Sequence, residues 1–266
     1  DTEYIFEADM DCQCGYHADV RDGILLTPNR YEGNDDTPDV HRLMYKDLPA
    51  GMISLFQSAY NFMKRQLDGV SLNGKVVMES YINAWFFLYT HQGIFDPNGR
   101  YIIVDKYPET LAMYKALMER ENHHLPILYI ADSTLNLPLC PGCVDVNIDF
   151  FATNEHNFYR RSFFYEKLAP LLKLGARIIG TYFYFENGWR SMQKLLSQYP
   201  KCSDNNFSLQ YFLKMAAETG IVIDKKEVCG PSIDSGNNIG FSFHQKGEKL
   251  FLLPYTAHRA LPGRMG

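Results

Sequence analysis

The hydrophobic positions of this chain change their period several times between residues 50 and 260. Apolar residues recur at three- and four-residue spacing from Met52 to Leu67, which predicts a helix over 50–69. Short apolar runs and helical segments then alternate. They predict strands at 75–79, 101–105, 127–131, 144–149 and 176–185, and helices at 84–91, 108–120, 158–174 and 208–218. This alternation indicates an α/β architecture, with a parallel sheet covered by helices on both faces.

The two ends of the chain follow other patterns. Near the C-terminus, apolar runs predict strands at 221–228, 239–243 and 249–253, with a turn at 244–247, which favours an antiparallel strand at the end of the sheet. Residues 1–50 contain two short apolar runs, 4–8 and 19–26, and a polar loop-like stretch at 29–39. We therefore predict a small N-terminal hairpin and loop segment over 1–50 and an α/β domain over 51–266.

Composition excludes several classes of protein. The chain is 46% hydrophobic and 21% charged, as in ordinary globular proteins, and its net charge of −5 argues against a broad nucleic-acid-binding face. Its longest apolar run, 84–89, is far shorter than the ~20 residues that span a bilayer. No signal segment opens the sequence, so we expect a cytoplasmic protein whose partner is a small molecule, with a homodimer left open. The first residue is Asp1, which leaves room for a missing N-terminal domain.

Six cysteines are too few for a disulfide-stapled scaffold in a chain of 266 residues. Cys12 and Cys14 lie close to His17, with His41 further on, and thiolates with imidazoles are the ligands that zinc prefers. Cys140 and Cys143 have the spacing of a second half-site, but they precede a different strand. A zinc site at Cys12, Cys14, His17 and His41 and a set of reduced thiols are the two alternatives.

Acidic residues end four successive predicted strands: Glu79, Asp105, Asp132 and Asp149. In a doubly wound sheet, ligands bind beyond the carboxyl ends of the strands. A carboxylate at the end of the second strand is well placed to accept both hydroxyls of a ribose. The simpler alternative is that each residue caps the helix that follows it.

Three stretches carry a family resemblance. They are Tyr101–Asp105 with the helix after it, Ala131–Pro138 followed by Val144–Asp149, and Leu171–Ile179. Over roughly residues 52–258 the chain resembles the class I S-adenosylmethionine-dependent methyltransferases. The resemblance implies a seven-stranded, mostly parallel, Rossmann-like sheet whose last strand is antiparallel, with S-adenosylmethionine as cofactor.

The resemblance also assigns roles by position. Glu79 would face the methionine end of the cofactor, and Asp105 would bind the ribose. Asp132 and Ser133 would flank the adenine. The substrate side would be bordered by Asp149, Phe150 and Asn154. Apart from the resemblance, His156 follows the fourth predicted strand, and its two alternatives are a general base and a packed or surface histidine.

The cofactor loop departs from the family pattern. Tyr81, Asn83 and Trp85 occupy the alternate positions where the resemblance expects glycines, which let the backbone turn sharply and approach a ligand. Two functions follow. The chain is either a methyltransferase-like enzyme with a degenerate cofactor loop and an unknown acceptor, or a non-catalytic ligand-sensing or interaction domain. The second function agrees with a weaker resemblance to the C-terminal part of bacterial MerR-type transcription regulators.

Overall fold

The computed structural model describes residues 5–31, 48–82, 86–121, 125–159, 163–233 and 241–260. In these ranges the strands are β1 (Ala8–Asp11), β2 (His17–Arg21), β3 (Ile24–Leu26), β4 (Val76–Ser80), β5 (Arg100–Asp105), β6 (Ile127–Ala131), β7 (Val144–Asp149), β8 (Leu172–Phe185), β9 (Ile221–Lys226), β10 (Cys229–Ser232) and β11 (Leu250–Arg259). The helices are α1 (Ala50–Asp68), α2 (Phe87–Thr90), α3 (Pro108–Arg120), α4 (Ala152–Tyr159), α5 (Phe164–Leu168), α6 (Trp189–Gln198) and α7 (Leu209–Glu218), with 3-10 turns at Gln92–Ile94 and Ala169–Leu171.

The described strands form one mixed sheet with the order β1-β2-β3-β6-β5-β4-β7-β8-β11-β10, and β9 also pairs with β11. The six strands from β3 to β8 in this order are parallel, and β11 is antiparallel to β8. This confirms the mostly parallel, doubly wound sheet and the antiparallel strand at its end. The expected number of seven strands is wrong: eleven described strands form the sheet, because β1, β2, β3 and β10 add to it. The order reverses at β4, which pairs with β5 on one side and with β7 on the other.

Alternate residues of the central strands enter two separate cores. Val77 and Ile103 belong to one core, where α1 buries a stripe of apolar side chains (Met52, Leu55, Phe56, Ala59, Phe62, Met63 and Leu67). Met78 and Ile102 belong to the other core, which includes residues of α5 and α7. Both faces of the sheet are therefore buried, and each Å² of apolar surface removed from water stabilises the fold by about 25 cal/mol. This packing fixes the positions of the strand ends.

The N-terminal strands extend this sheet. β3 lies parallel to β6, with Leu26 opposite Ala131, and β2 and β1 follow as antiparallel strands. The chain then crosses the carboxyl ends of β6 and β5, because the Thr27 amide donates to the Ala131 carbonyl at 3.1 Å and the Tyr31 amide donates to the Lys106 carbonyl at 2.8 Å. The segment 27–31 therefore covers the edge where a ligand was expected.

The predicted helix over 158–174 is wrong. α4 begins earlier, at Ala152, α5 ends at Leu168, and residues from 172 onwards belong to β8. Pro170 explains this ending, because proline lacks the amide hydrogen that a continuing helix needs. The helix α6 was not predicted. Residues 241–243, predicted as part of a strand, form a turn.

No helix in the described ranges has the length and apolar character needed to cross a bilayer.

Candidate functional site

The four acidic residues predicted from the strand ends all lie at the carboxyl edge of the sheet, around the reversal of strand order. Each is at most 1% exposed, although carboxylates rarely lie in protein interiors without partners. Glu79 belongs to β4, Asp105 and Asp149 end β5 and β7, and Asp132 follows β6 directly. The structure therefore brings these four residues to the edge where open α/β sheets bind ligands.

Glu79 holds the start of α2. Its carboxylate accepts the Phe87 amide at 2.7 Å and the Leu88 amide at 3.3 Å, so it satisfies two donors at the first turn of this short helix. Burial raises its pKa to about 7. The buried Tyr114 hydroxyl lies beside the same carboxyl group. This arrangement is the capping role that the sequence offered as an alternative.

Asp105 and Asp132 are neighbours in space. The Asp132 amide donates to the Asp105 carbonyl at 2.9 Å, and the Asp105 side chain accepts the Tyr107 amide at 3.0 Å. Both carboxylate oxygens of Asp132 accept hydrogen bonds: Oδ2 from the Thr27 hydroxyl at 2.7 Å, and Oδ1 from the amide and hydroxyl of Thr134 at 2.6 and 2.9 Å. The segment 27–31 and the Asp132 loop are therefore joined by buried polar contacts.

Ser133 adds to the same junction. Its amide and its hydroxyl donate to the Asn29 carbonyl, at 3.1 and 2.5 Å, and the Asn29 side chain lies 3.4 Å from Asp132 Oδ2. The residues expected to flank an adenine thus also fasten the N-terminal segment over the end of β6.

Asp149 lies in a fully buried cluster of hydroxyl groups. Its Oδ2 accepts from Tyr255 at 2.8 Å, Thr153 at 2.8 Å and Tyr165 at 3.3 Å, and the two tyrosine hydroxyls contact each other. Burial raises the pKa of Asp149. Gly180 leaves room for the cluster, because a Cβ there would lie 2.6 Å from the Tyr255 hydroxyl.

Tyr81 stands where the resemblance expects the first glycine of the cofactor loop. Its φ of 50° is in the left-handed region, which glycine adopts freely and an aromatic residue rarely does. The loop therefore keeps a glycine-like backbone without the glycine. The Tyr81 ring is 1% exposed and stacks on His156, whose Nδ1 lies 3.2 Å from the Tyr81 hydroxyl. Asn83 and Trp85 lie outside the described residues.

A buried ion pair lies at the carboxyl edge of the sheet. Lys106, which follows β5, contacts Glu155 of α4, and their side chains are 7% and 14% exposed. The Lys106 ammonium also lies 5.6 Å from the centre of the Tyr107 ring. The pair links the strand end expected to bind ribose with the helix that follows β7.

The other substrate-side residues are buried in the scaffold. Asn154 bonds the backbone of Phe183 through both ends of its amide group, at 2.8 and 3.1 Å, and also bonds Asn206. Phe150 is 3% exposed and lies in the core with the Phe56 and Tyr60 rings. These contacts position the start of α4.

Sequence reasoning missed Thr27, Lys106, Glu155, Tyr165 and Tyr255. The sequence did contain a signal for Lys106. Of the four residues that directly follow the strand-ending acids at 79, 105, 132 and 149, Lys106 is the only charged one. The partners of these residues come from elements far apart in the sequence, such as Thr27 and Asp132, and no local pattern joins them.

The zinc site predicted at the N-terminal hairpin gains no support in the described part of the chain. No three His, Cys, Asp or Glu side chains there are grouped so as to hold a metal ion, and His41 lies outside the described residues. The two ring nitrogens of His17 contact Asp11 at 2.7 Å and Asp19 at 3.1 Å. Both nitrogen atoms of the His17 ring, one of which would have to bind zinc, therefore contact carboxylates instead.

Comparisons with known proteins concern the fold. No protein-family model matches the sequence, and no curated protein sequence matches it. Among solved structures, the chain is similar to geranyl diphosphate C-methyltransferase from Streptomyces coelicolor A3(2), with 12% identity, 86% of each chain covered and a TM-score of 0.59. A geranyl diphosphate methyltransferase in complex with S-adenosylmethionine matches at 11% identity over 86% of this chain and 93% of its own, with a TM-score of 0.60.

A third similar structure is the Haemonchus contortus phosphoethanolamine N-methyltransferase 2, with 13% identity, 86% of this chain and 59% of its own covered, and a TM-score of 0.59. It contains S-adenosylhomocysteine. These likenesses do not bear on the resemblance to MerR-type regulators. Together with the strand order, they show that the chain has the Rossmann-like fold of a class I methyltransferase-like domain.

Proposed function

We propose that the chain binds S-adenosylmethionine in the crevice over the carboxyl ends of β4, β5 and β6, as a methyltransferase-like domain with an altered cofactor loop. The observation that carries the proposal is the set of buried carboxylates of Glu79, Asp105 and Asp132 at the ends of three adjacent parallel strands, beside the reversal of strand order. The similar solved structures include one with S-adenosylmethionine and two with S-adenosylhomocysteine.

The residues fit this cofactor in part. Asp105 ends the strand at which the resemblance places the ribose, and the strand keeps it buried there. Asp132 and Glu79 already accept hydrogen bonds from the protein, so they would shape the crevice more than contact the cofactor. When bound, the cofactor supplies an electrophilic methyl group. This chain would hold it in line with an acceptor, and His156, which lies buried in α4 beside Tyr81, is the residue we propose to take a proton.

A second function is a non-catalytic ligand-sensing domain. Two observations favour it: the buried Tyr81 ring stands at the first glycine position of the cofactor loop, and the Lys106–Glu155 pair ties the end of β5 to α4. Both depart from an open cofactor loop. Release of S-adenosylhomocysteine in the presence of a panel of small-molecule acceptors separates the two functions, because only the enzyme consumes the cofactor.

The binding test uses Asp105→Asn and thermal melting. Asparagine keeps the oxygen that accepts the Tyr107 amide, so the turn is retained while the charge is lost. S-adenosylhomocysteine at 100 times its dissociation constant stabilises the wild type by about 2.7 kcal/mol. We expect Asp105→Asn to bind about tenfold more weakly or worse, because it loses a charge-assisted hydrogen bond.

Asp96→Asn is the matched control. Asp96 accepts the Asn98 amide at 2.8 Å in an equivalent turn, but it precedes β5 and lies at the opposite end of this strand. The control should bind S-adenosylhomocysteine as the wild type does. Equal melting temperatures with and without S-adenosylmethionine and S-adenosylhomocysteine would refute the proposed function.

A further inference from the structure

Cys12 and Cys14 are held together at the tip of the β1–β2 hairpin. The Cys12 amide donates to the Tyr16 carbonyl and the Gly15 amide donates to the Cys12 carbonyl, both at 2.8 Å. Gly15 has a φ of +83°, which permits this tight turn. The two sulfur atoms lie 2.7 Å apart, and both residues are exposed. The turn therefore presents two adjacent thiols to solvent.

The two sulfur atoms are in contact, and a disulfide bond would join them directly. A disulfide needs about 2.05 Å, which a small movement of either side chain provides. The nearby His17 ring is turned to Asp11 and Asp19.

An apolar groove adjoins the two thiols. It has a volume of about 380 Å³, and its lining includes Cys12, Cys14, Tyr16, Leu25, Leu137 and Pro138. Leu137 and Pro138 belong to the loop that follows Asp132. A reagent that reaches the thiols thus has space beside them, and the hairpin tip adjoins the loop at the end of β6.

We propose that Cys12 and Cys14 form a reversible intramolecular disulfide by exchange with a small-molecule disulfide. One cysteine thiolate attacks a sulfur of the small disulfide, which forms a mixed disulfide and releases one small thiolate. The second cysteine thiolate attacks the protein sulfur of the mixed disulfide, which forms the Cys12–Cys14 bond and releases the other small thiolate. The released thiolates take up the two protons lost by the cysteines, so the protein is oxidised and the small disulfide is reduced to two thiols.

The test is mass spectrometry after incubation with glutathione disulfide, alkylation of remaining thiols and trypsin digestion. Peptide 1–21 contains both cysteines of the hairpin and no others, and peptide 121–160 contains Cys140 and Cys143 as an internal control. We expect peptide 1–21 to lose two hydrogens, about 2 Da, and to take up no alkyl group. Peptide 121–160 should take up two alkyl groups.

Cys14→Ser identifies the mechanism, because the remaining Cys12 should then stop at the mixed disulfide with glutathione. The proposal is wrong if peptide 1–21 keeps two alkylatable thiols, if both peptides oxidise to the same extent, or if stoichiometric zinc protects the hairpin thiols. These readouts do not involve S-adenosylmethionine, so their failure is distinct from failure of the proposed function.

Discussion

The backbone of Tyr81 lies in the left-handed region, yet its side chain is buried against His156. Strained residues of this kind persist where the surrounding contacts hold them. Tyr81→Phe removes only the hydroxyl that faces His156, and we expect it to lower the free energy of unfolding by about 1 kcal/mol. Urea denaturation measures this change.

Tyr81→Gly changes two contributions to stability at this residue, the cost of the left-handed backbone and the packing of the ring. Glycine relieves a left-handed backbone cost of about 1–2 kcal/mol, but it also removes a buried ring, for which truncation costs about 3–5 kcal/mol. We therefore expect a net loss larger than that of Tyr81→Phe. A Tyr81→Gly protein as stable as the wild type would contradict this expectation, because the ring would then contribute no more than the cost of the left-handed backbone, about 1–2 kcal/mol.

Glu79 makes stability depend on pH. Its pKa is raised from 4.5 to about 7 in the folded protein, so folding favours the protonated form. The contribution of Glu79 to the free energy of unfolding is complete below pH 4.5 and is lost as the pH rises through about 7. The loss amounts to up to about 3 kcal/mol. The free energy of unfolding should fall between pH 5 and pH 8 in the wild type relative to Glu79→Gln, which cannot ionise. Parallel pH profiles for the two proteins would contradict this prediction.

At the scale of elements, the Lys106–Glu155 pair joins the end of β5 to α4. Removing one member of a buried pair leaves the other charge without compensation, at a cost of about 3 kcal/mol. We expect Lys106→Met to lose about this much in urea denaturation, and the double variant Lys106→Met with Glu155→Leu to lose less. The exposed Lys214–Glu218 pair of α7, at 3.7 Å, is the control. Lys214→Met should change stability by less than about 1 kcal/mol.

The elements that the sequence predicted well are those with a strong local period. The apolar stripe of α1 and the apolar runs of β5, β6 and β7 each follow the pattern of a single kind of element. Their apolar spacing was therefore enough to predict them. The prediction for residues 152–171 failed because the helices there are short and buried around most of their surface. In α4, for example, the polar residues Thr153, Asn154 and His156 are buried. Such a helix has no single apolar stripe.

At the scale of the whole molecule, the sequence located the edge of the sheet that carries the acidic residues but not what covers it. Glu79, Asp105 and Asp132 were placed by counting strand ends, which depends only on the alternation of elements. Their partners depend on the tertiary fold: Thr27 reaches Asp132 across 105 residues of sequence, and Tyr255 reaches Asp149 across 106. Whether each carboxylate faces a ligand or the protein is decided by such contacts.

The N-terminal strands protect the edge of the parallel sheet, and this leads to a prediction about association. Deletion of residues 1–26 removes β1 to β3, leaves the edge of β6 that pairs with β3 without a partner strand, and takes Leu25 from the core. An unpaired strand edge is a template for pairing with another chain. We therefore expect this deletion to cause concentration-dependent association, measured by light scattering with size-exclusion chromatography.

Deletion of residues 1–11 is the control, because it removes only β1, whose residues are mostly exposed. The new edge strand would be β2, which carries Asp19 and Arg21, and charged residues on an edge oppose pairing between chains. This variant should scatter light as the full chain does. If both deletions associate equally, β1 rather than the cover over β6 prevents association. If neither does, the N-terminal strands have no protective role at this edge of the sheet.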